Sequence, residues 1–150
     1  MIRQLKQCRL CEGELFSERL TLSPTPLANE LYDNREEAAS AEIFPLTLAM
    51  CSVCSHLQLV YLLSSERLFE KYAYQSGTSS FFRKHFEEFA LNTSQFVKNT
   101  PVLEIGSNDG TLLCAYQKLG IRNVGIEPSV QLVNKCQADG LDARVGYFDE

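Results

Sequence analysis

The run Val102-Leu103-Glu104-Ile105-Gly106-Ser107-Asn108-Asp109-Gly110-Thr111-Leu112-Leu113 restricts this chain more than any other stretch. Four residues of strand character end at a glycine-bearing turn, and a helix opens directly after it. Strand, glycine turn and helix in that order form the first unit of a doubly wound α/β layout. The pattern then repeats. A helix is expected over about 110–118, a strand over 122–126, a helix over about 129–138 and a strand over about 143–147, with Gly120 and Gly140 as helix stops. Strands and helices alternating at this spacing predict a parallel sheet.

The first seventy or so residues read differently, as short strands and loops. Residues 43–50 and 56–61 flank a Cys-x-x-Cys pair like two hairpin strands with a knuckle at the tip, and Pro24 and Pro26 keep Leu22 to Leu27 extended. Ser64 is a candidate cap for a short helix through Lys71. A longer helix is predicted from Ser79 to Lys98, where Phe82, Phe86, Phe89 and Phe96 recur at helical spacing as a core-facing stripe. Asn99-Thr100-Pro101 marks a boundary. The expected organisation is a zinc-binding domain over 1–63, linking helices over 64–99 and a partial α/β domain over 100–150.

Two cysteine pairs stand in the N-terminal part, Cys8/Cys11 and Cys51/Cys54. Two residues between paired cysteines let both thiolates face one ion across a tight turn, and two such pairs complete a closed, tetrahedral, structural zinc site. The segment 12–50 between them is longer than the usual ribbon spacing, so it must loop out between knuckles. Four separate thiols or one redox-active pair is the competing reading. Cys114 and Cys136 fall in predicted helices as packing residues, and His56 is expected beside the metal rather than on it.

Composition narrows the partners. A hydrophobic share of 45% and a charged share of 22% are those of a globular chain. The formal net charge of -5 argues against nucleic acid, which needs a basic face. No stretch approaches the roughly 20 apolar residues of a membrane span, and the N-terminus lacks the apolar core of a signal peptide. A cytoplasmic, reducing location is therefore expected, where cysteines serve metals or packing.

Within the turn, Gly106 permits backbone close to a ligand and Gly110 permits tight strand–helix packing, while Asn108 tolerates left-handed geometry. The order G-x-N-x-G departs from the dinucleotide fingerprint G-x-G-x-x-G. Glu104, at the strand end two residues before the first glycine, marks an S-adenosylmethionine site: an acidic loop of Glu104 and Asp109 suits a sulfonium cofactor without pyrophosphate. About twenty residues on, the second strand ends in Glu127, placed to take both ribose hydroxyls. The candidate cofactor residues are Glu104, Gly106, Ser107, Asn108, Asp109, Gly110, Glu127 and Pro128.

With both motifs in hand, the chain resembles the class I S-adenosylmethionine-dependent sugar C-methyltransferases that carry an N-terminal zinc-binding domain. The resemblance rests on Cys8-Arg9-Leu10-Cys11, on Pro26-Leu27-Ala28-Asn29, on Cys51 to Leu59, on Tyr72-Ala73-Tyr74-Gln75-Ser76-Gly77-Thr78-Ser79 with His85 after it, on Leu103 to Leu113, and on Gly125-Ile126-Glu127-Pro128-Ser129. Ser55 stands where glycine is common in the family. The resemblance implies a Rossmann-like domain, a nucleotide-linked deoxy-keto-sugar as substrate, and proton removal beside the ketone before carbon attacks the methyl group. It makes Tyr74, and less directly Tyr72, the active-site tyrosines.

The family continues far beyond the third strand, with strands in the order 3-2-1-4-5. The chain is accordingly expected to be an N-terminal fragment, inactive alone, with its general base beyond Glu150. Strand 102–105 is then expected to expose one edge and to favour self-association. The alternative is a non-catalytic zinc-binding interaction fragment.

Overall fold

A computed structural model describes residues 2–69, 72–97 and 100–149, side chains 16–19 excepted. The chain is mixed α/β and divides into two units, Met1–Leu68 and Phe69–Glu150.

The first unit is built on strands β1 (Ile2–Gln4), β2 (Leu15–Thr25), β3 (Phe44–Cys51), β4 (Leu57–Leu59) and β5 (Tyr61–Leu63). β2, β3 and β4 form one antiparallel sheet, and β1 pairs antiparallel with β5. The hairpin expected around the second cysteine pair is present, with Leu48 opposite Leu59 and Met50 opposite Leu57. Its outgoing strand is two strands, not one. Val60, fully buried, donates its N–H to Thr47 and accepts from Leu5 N–H, so its backbone serves both sheets and the chain turns there.

The long β2 begins well before Leu22, where the sequence reading starts its extended stretch, and the short helix α1 (Arg35–Ala39) lies in what the sequence reads as loop. Asn34 caps α1 by accepting from Glu37 N–H, and a helix this short leaves no periodicity to read. Helix α2 (Ser65–Phe69) follows β5, and its expected end at Lys71 lies outside the described residues. The two faces of the β2–β3–β4 sheet are unequal. Thr47, Ala49, Cys51 and Gln58 are buried, whereas Leu20, Leu22, Met50 and Leu57 on the opposite face are exposed.

In the second unit, helix α3 (Ser80–Ser94) is capped by the Ser79 side chain, which accepts from Phe82 N–H. The predicted end at Lys98 and the boundary residue Asn99 lie outside the described residues. Then come β6 (Val102–Ile105), α4 (Thr111–Lys118), β7 (Asn123–Glu127), α5 (Val130–Ala138) and β8 (Ala143–Val145). The three strands are parallel in the order β6-β7-β8, the half-sheet of a Rossmann-like arrangement. Among the described residues β6 pairs only with β7, and Leu103 and Ile105 on it are exposed. No described helix is long and apolar enough to cross a membrane.

The core of this unit gathers Leu113 of α4, Val133 and Cys136 of α5, Leu141 and Ala143. Full burial of a leucine or valine side chain contributes about 1.5–3 kcal/mol each. A second cluster joins Ala90 of α3 to Ala115 and Tyr116 of α4. Here the aromatic-stripe expectation fails. Phe82, Phe89 and Phe96 are exposed, and the docking face of α3 is instead Ala90 with Thr93, whose hydroxyl lies 2.8 Å from Tyr116 Oη. A small residue lets the two helix backbones approach, which a phenylalanine at the crossing would prevent.

Candidate functional site

The four cysteines converge. Cys8, Cys11, Cys51 and Cys54 place their sulfurs within 4.8 Å of one another, with Cys8–Cys54 at 3.7 Å and Cys11–Cys51 at 3.5 Å. Sulfurs around one zinc at about 2.3 Å stand about 3.8 Å apart, so the donor set fits that ion. The two knuckles are geometric copies. Leu10 N–H and Val53 N–H each donate to the first sulfur of their own pair at 3.4 Å. Cys8 N–H and Cys51 N–H donate to Gly13 and His56 carbonyls, and Glu12 and Ser55, each directly after the second cysteine, both have φ of 60°. Serine thus takes the left-handed position that glycine would occupy without strain.

Gly13 has no such φ but lies so close to the second knuckle that a Cβ there would meet Val53 Cγ2 at 2.6 Å. The Cys51 thiol is brought down to about 6, chiefly by the backbone N–H of Cys54 with help from Val53 N–H. Its neighbour Cys11 goes the other way: the Gly13 backbone hydrogen bond lowers it, but hydrogen bonds to Cys54 and Cys51 push it up to about 12, so the crowded thiols share protons. His56 contributes its carbonyl, and among the described residues the metal-competent group is the four cysteines alone.

The glycine turn between β6 and α4 is fastened to β7: Gly106 and Ser107 N–H both donate to Ile126 O. Gly106 (φ 73°) faces open space, whereas Gly110 (φ 75°) packs so tightly that a Cβ would meet Leu141 at 2.6 Å and Cys136 Sγ at 2.8 Å. Asn108 adopts φ 50°. Burial pushes the Cys136 thiol up to about 11, so it keeps its proton and donates to Asn108 O.

The three carboxylates at this turn differ in what they have left to give. Glu127 is buried, with one oxygen accepting from Asn108 N–H at 2.9 Å and the other from Ser129 N–H at 3.0 Å. Asp109 is buried too and accepts from Gly77 N–H, Thr111 N–H and the Thr111 hydroxyl. Glu104 alone of the three has a buried oxygen, Oε2, without a hydrogen-bond partner. Burial first, then the charges of Asp109 and Glu127, raise its carboxyl to about 7. An acid in that position gains most from a cationic group placed beside it.

Asn108 and Asp109 also reach the tyrosine segment. Asn108 accepts from Ser76 N–H at 3.0 Å and donates to Tyr74 O at 3.0 Å, and Asp109 accepts from Gly77 N–H at 2.8 Å. A cavity of about 280 Å³ opens beside the turn, lined by Tyr72, Gly106, Glu127, Pro128, Tyr147 and Phe148 among others. Tyr72 therefore faces the same space as Gly106 and Glu127. Tyr74 does not line it and is partly exposed, with its ring edge-on to Tyr72 at 6.3 Å between centroids.

Sequence reasoning missed Phe69, Tyr147 and Phe148 as pocket walls. An aromatic pair directly after the third strand, at the carboxyl end of a parallel sheet, was the available signal.

Residues 8–69 match a family model described as a putative zinc binding domain. Over 145 residues the chain is 24% identical to the C-methyltransferase NovU of Streptomyces niveus, a match that covers 95% of this chain and 34% of that protein. The chain thus spans about a third of the length of the curated relative it matches. Both comparisons agree with the resemblance carried by the six motif segments.

Proposed function

We propose that this chain supplies the zinc-bearing and cofactor-binding parts of an S-adenosylmethionine-dependent C-methyltransferase acting on nucleotide-linked deoxy-keto-sugars. The observation that carries the reading is the division of labour among the acids of the turn. Glu127 is held rigidly at the cavity, and Glu104 keeps a buried oxygen without a partner. S-adenosylmethionine supplies an electrophilic methyl group on a sulfonium cation. Glu104 would take the positively charged end of that molecule, and Glu127, each of whose oxygens retains a second lone pair, would take the ribose. Phe148 and Tyr147 offer apolar walls of the kind a nucleobase needs.

The cysteine quartet is read as structural zinc, since four thiolates leave no position open for substrate. Reduced thiolates and metal together fit a cytoplasmic setting. Tyr72 is read ahead of Tyr74 as the tyrosine of the reacting region, a reading supported by its place in the cavity wall. These 150 residues are proposed to bind the cofactor without turning it over on their own.

Incubation with labelled S-adenosylmethionine and a panel of nucleotide-linked keto-sugars, beside the full-length relative, tests this. Label is expected to reach sugar with the relative and, from this chain, to remain in bound cofactor. Turnover at the relative's rate would overturn the division, and failure to bind the cofactor would overturn the reading itself.

A further inference from the structure

Of the three polar residues between the two turn glycines, Ser107 buries its hydroxyl without a partner, whereas Asn108 and Asp109 are spent on protein, not on open space. Every side-chain polar atom of Asn108 has a partner in the tyrosine segment: Oδ1 accepts from Ser76 N–H, and Nδ2 donates to Tyr74 O. Asp109 gives one oxygen to Gly77 N–H and the other to Thr111. The approach is close enough that a Cβ on Gly77 would stand 2.6 Å from Thr111 Oγ1 and 2.8 Å from Asp109 Oδ2. On its far side the segment is tied again, because Arg83 of α3 donates to Gly77 O and Ser79 caps that helix. Meanwhile the backbone N–H of the same Asn108 is held by Glu127. One residue therefore links the carboxylate at the cavity to the strip of chain that carries Tyr72 and Tyr74.

We propose that Asn108 and Asp109 are positioning residues for the tyrosine segment, fastening residues 74–77 to the glycine turn so that a molecule held at Glu127 and the Tyr72 ring stay in one register. This rests on the cofactor reading of the cavity. It also reassigns two residues that the motif alone places on the cofactor. An asparagine at the second turn position meets two requirements at once, since it accepts the left-handed φ and carries both a donor and an acceptor for a passing backbone. A glycine there meets only the first. An aspartate next to it adds an acceptor that a backbone N–H fills well, at a strength above that of a neutral pair.

Two variants break the same link from opposite sides. Asn108→Gly keeps the left-handed turn and removes the side chain. Ser76→Pro leaves the turn untouched and removes the donor; Gln75 before it has φ of -126° and ψ of 124°, the conformation a residue preceding proline prefers. The experiment uses the full chain labelled with fluorotyrosine, with the Tyr72 and Tyr74 lines assigned by Tyr72→Phe and Tyr74→Phe. Backbone hydrogen exchange at Gly77 is read without ligand, and the Tyr72 fluorine line is read during titration with S-adenosylhomocysteine, with calorimetry on the same samples.

Both variants leave the Asp109 acceptor of Gly77 N–H in place, so exchange there reports how firmly the segment is held and is expected to speed up about tenfold, the effect of a fastening weakened by one neighbouring hydrogen bond of ordinary net strength. In the unaltered chain the Tyr72 line is expected to move and saturate together with the calorimetric binding curve. In both variants ligand that calorimetry reports as bound should move that line by less than half as much. Unchanged exchange, or a full Tyr72 response in both variants, overturns the proposal. Absence of binding to the unaltered chain overturns the cofactor reading and the register with it. Exchange at Gly77 then decides the fastening by itself, faster exchange supporting it and unchanged exchange ending it.

Discussion

The two units are held together by different means. In the second, Leu113, Val133, Cys136, Leu141 and Ala143 form a continuous apolar core between a parallel sheet and its helices. In the first, the buried set among the described side chains has Leu5 and Val60 as its larger apolar members beside Ala49, Thr47, Gln58, Cys8 and Cys51, while leucines line the opposite, exposed sheet face. A unit of about seventy residues with that interior lacks the burial that normally stabilises a fold. Its knuckles are nevertheless ordered as duplicates around one point in space. The difference teaches where the stabilisation lies: apolar area holds the second unit, and the metal-cysteine centre holds the first.

Removing the metal is the largest way to break that contrast. Chelation, or Cys51→Ser, should unfold the first unit with a loss of about 10 kcal/mol, the scale of structural zinc in small domains. The second unit should survive. Limited proteolysis with mass spectrometry would show cuts confined to residues before Leu68, and cuts spread evenly along the chain would erase the distinction.

Leu113→Ala attacks the other side. Leu113 is fully buried, and the cavity left behind should cost about 4 kcal/mol in urea unfolding of the second unit, with zinc content unchanged.

Glu104→Gln comes next, and it depends on pH. The carboxyl of Glu104 sits at about 7 against an ordinary 4.5, so the folded chain holds that proton more tightly than the unfolded one. Its protonated form therefore stabilises the fold fully below about 4.5, and that contribution disappears as pH rises through about 7. Glutamine, always neutral, should make the second unit more stable than the unaltered chain at pH 8 by about 3 kcal/mol and no different at pH 4. The same change should weaken binding of an S-adenosyl ligand. Denaturation curves at both pH values check the first statement and calorimetry the second.

The smallest effect is a gain. Ser55 holds φ of 60°, and Ser55→Gly should stabilise the first unit by about 1 kcal/mol, the cost of left-handed backbone for a residue with a side chain. A loss on that substitution would mean that the serine side chain is needed at the knuckle.

What the sequence disclosed follows the same division. In the second unit, each strand and helix from 102 to 145 was legible, because apolar periodicity changes sharply at Gly106, Gly120 and Gly140 and each of those glycines takes a positive φ. In the first, the spacing of the cysteines disclosed the metal centre but not the strands around it. The long β2 carries Pro24 and a register shift toward each end, and β1 finds its partner only in β5, some sixty residues away.

Phe82, Phe86 and Phe89 recur along α3 at the helical spacing read from the sequence, yet spacing does not say which face docks, and Ala90 won by its size. The partners of Glu127 and Asn108 were hidden for a related reason. Backbone N–H groups at Ser129 and Ser76 become donors only once the turns are folded.

Calorimetric titration of S-adenosylhomocysteine into the chain, before and after chelation, tests the proposal of an S-adenosyl site on the second unit that does not need the metal of the first. One site per chain is expected, weakened at least tenfold by Glu127→Ala, consistent with about 1.5–3 kcal/mol for hydrogen bonds to a charged acceptor, and still present after the metal is gone. No heat from the S-adenosyl ligand, or heat from a nicotinamide dinucleotide at the same site, would contradict it.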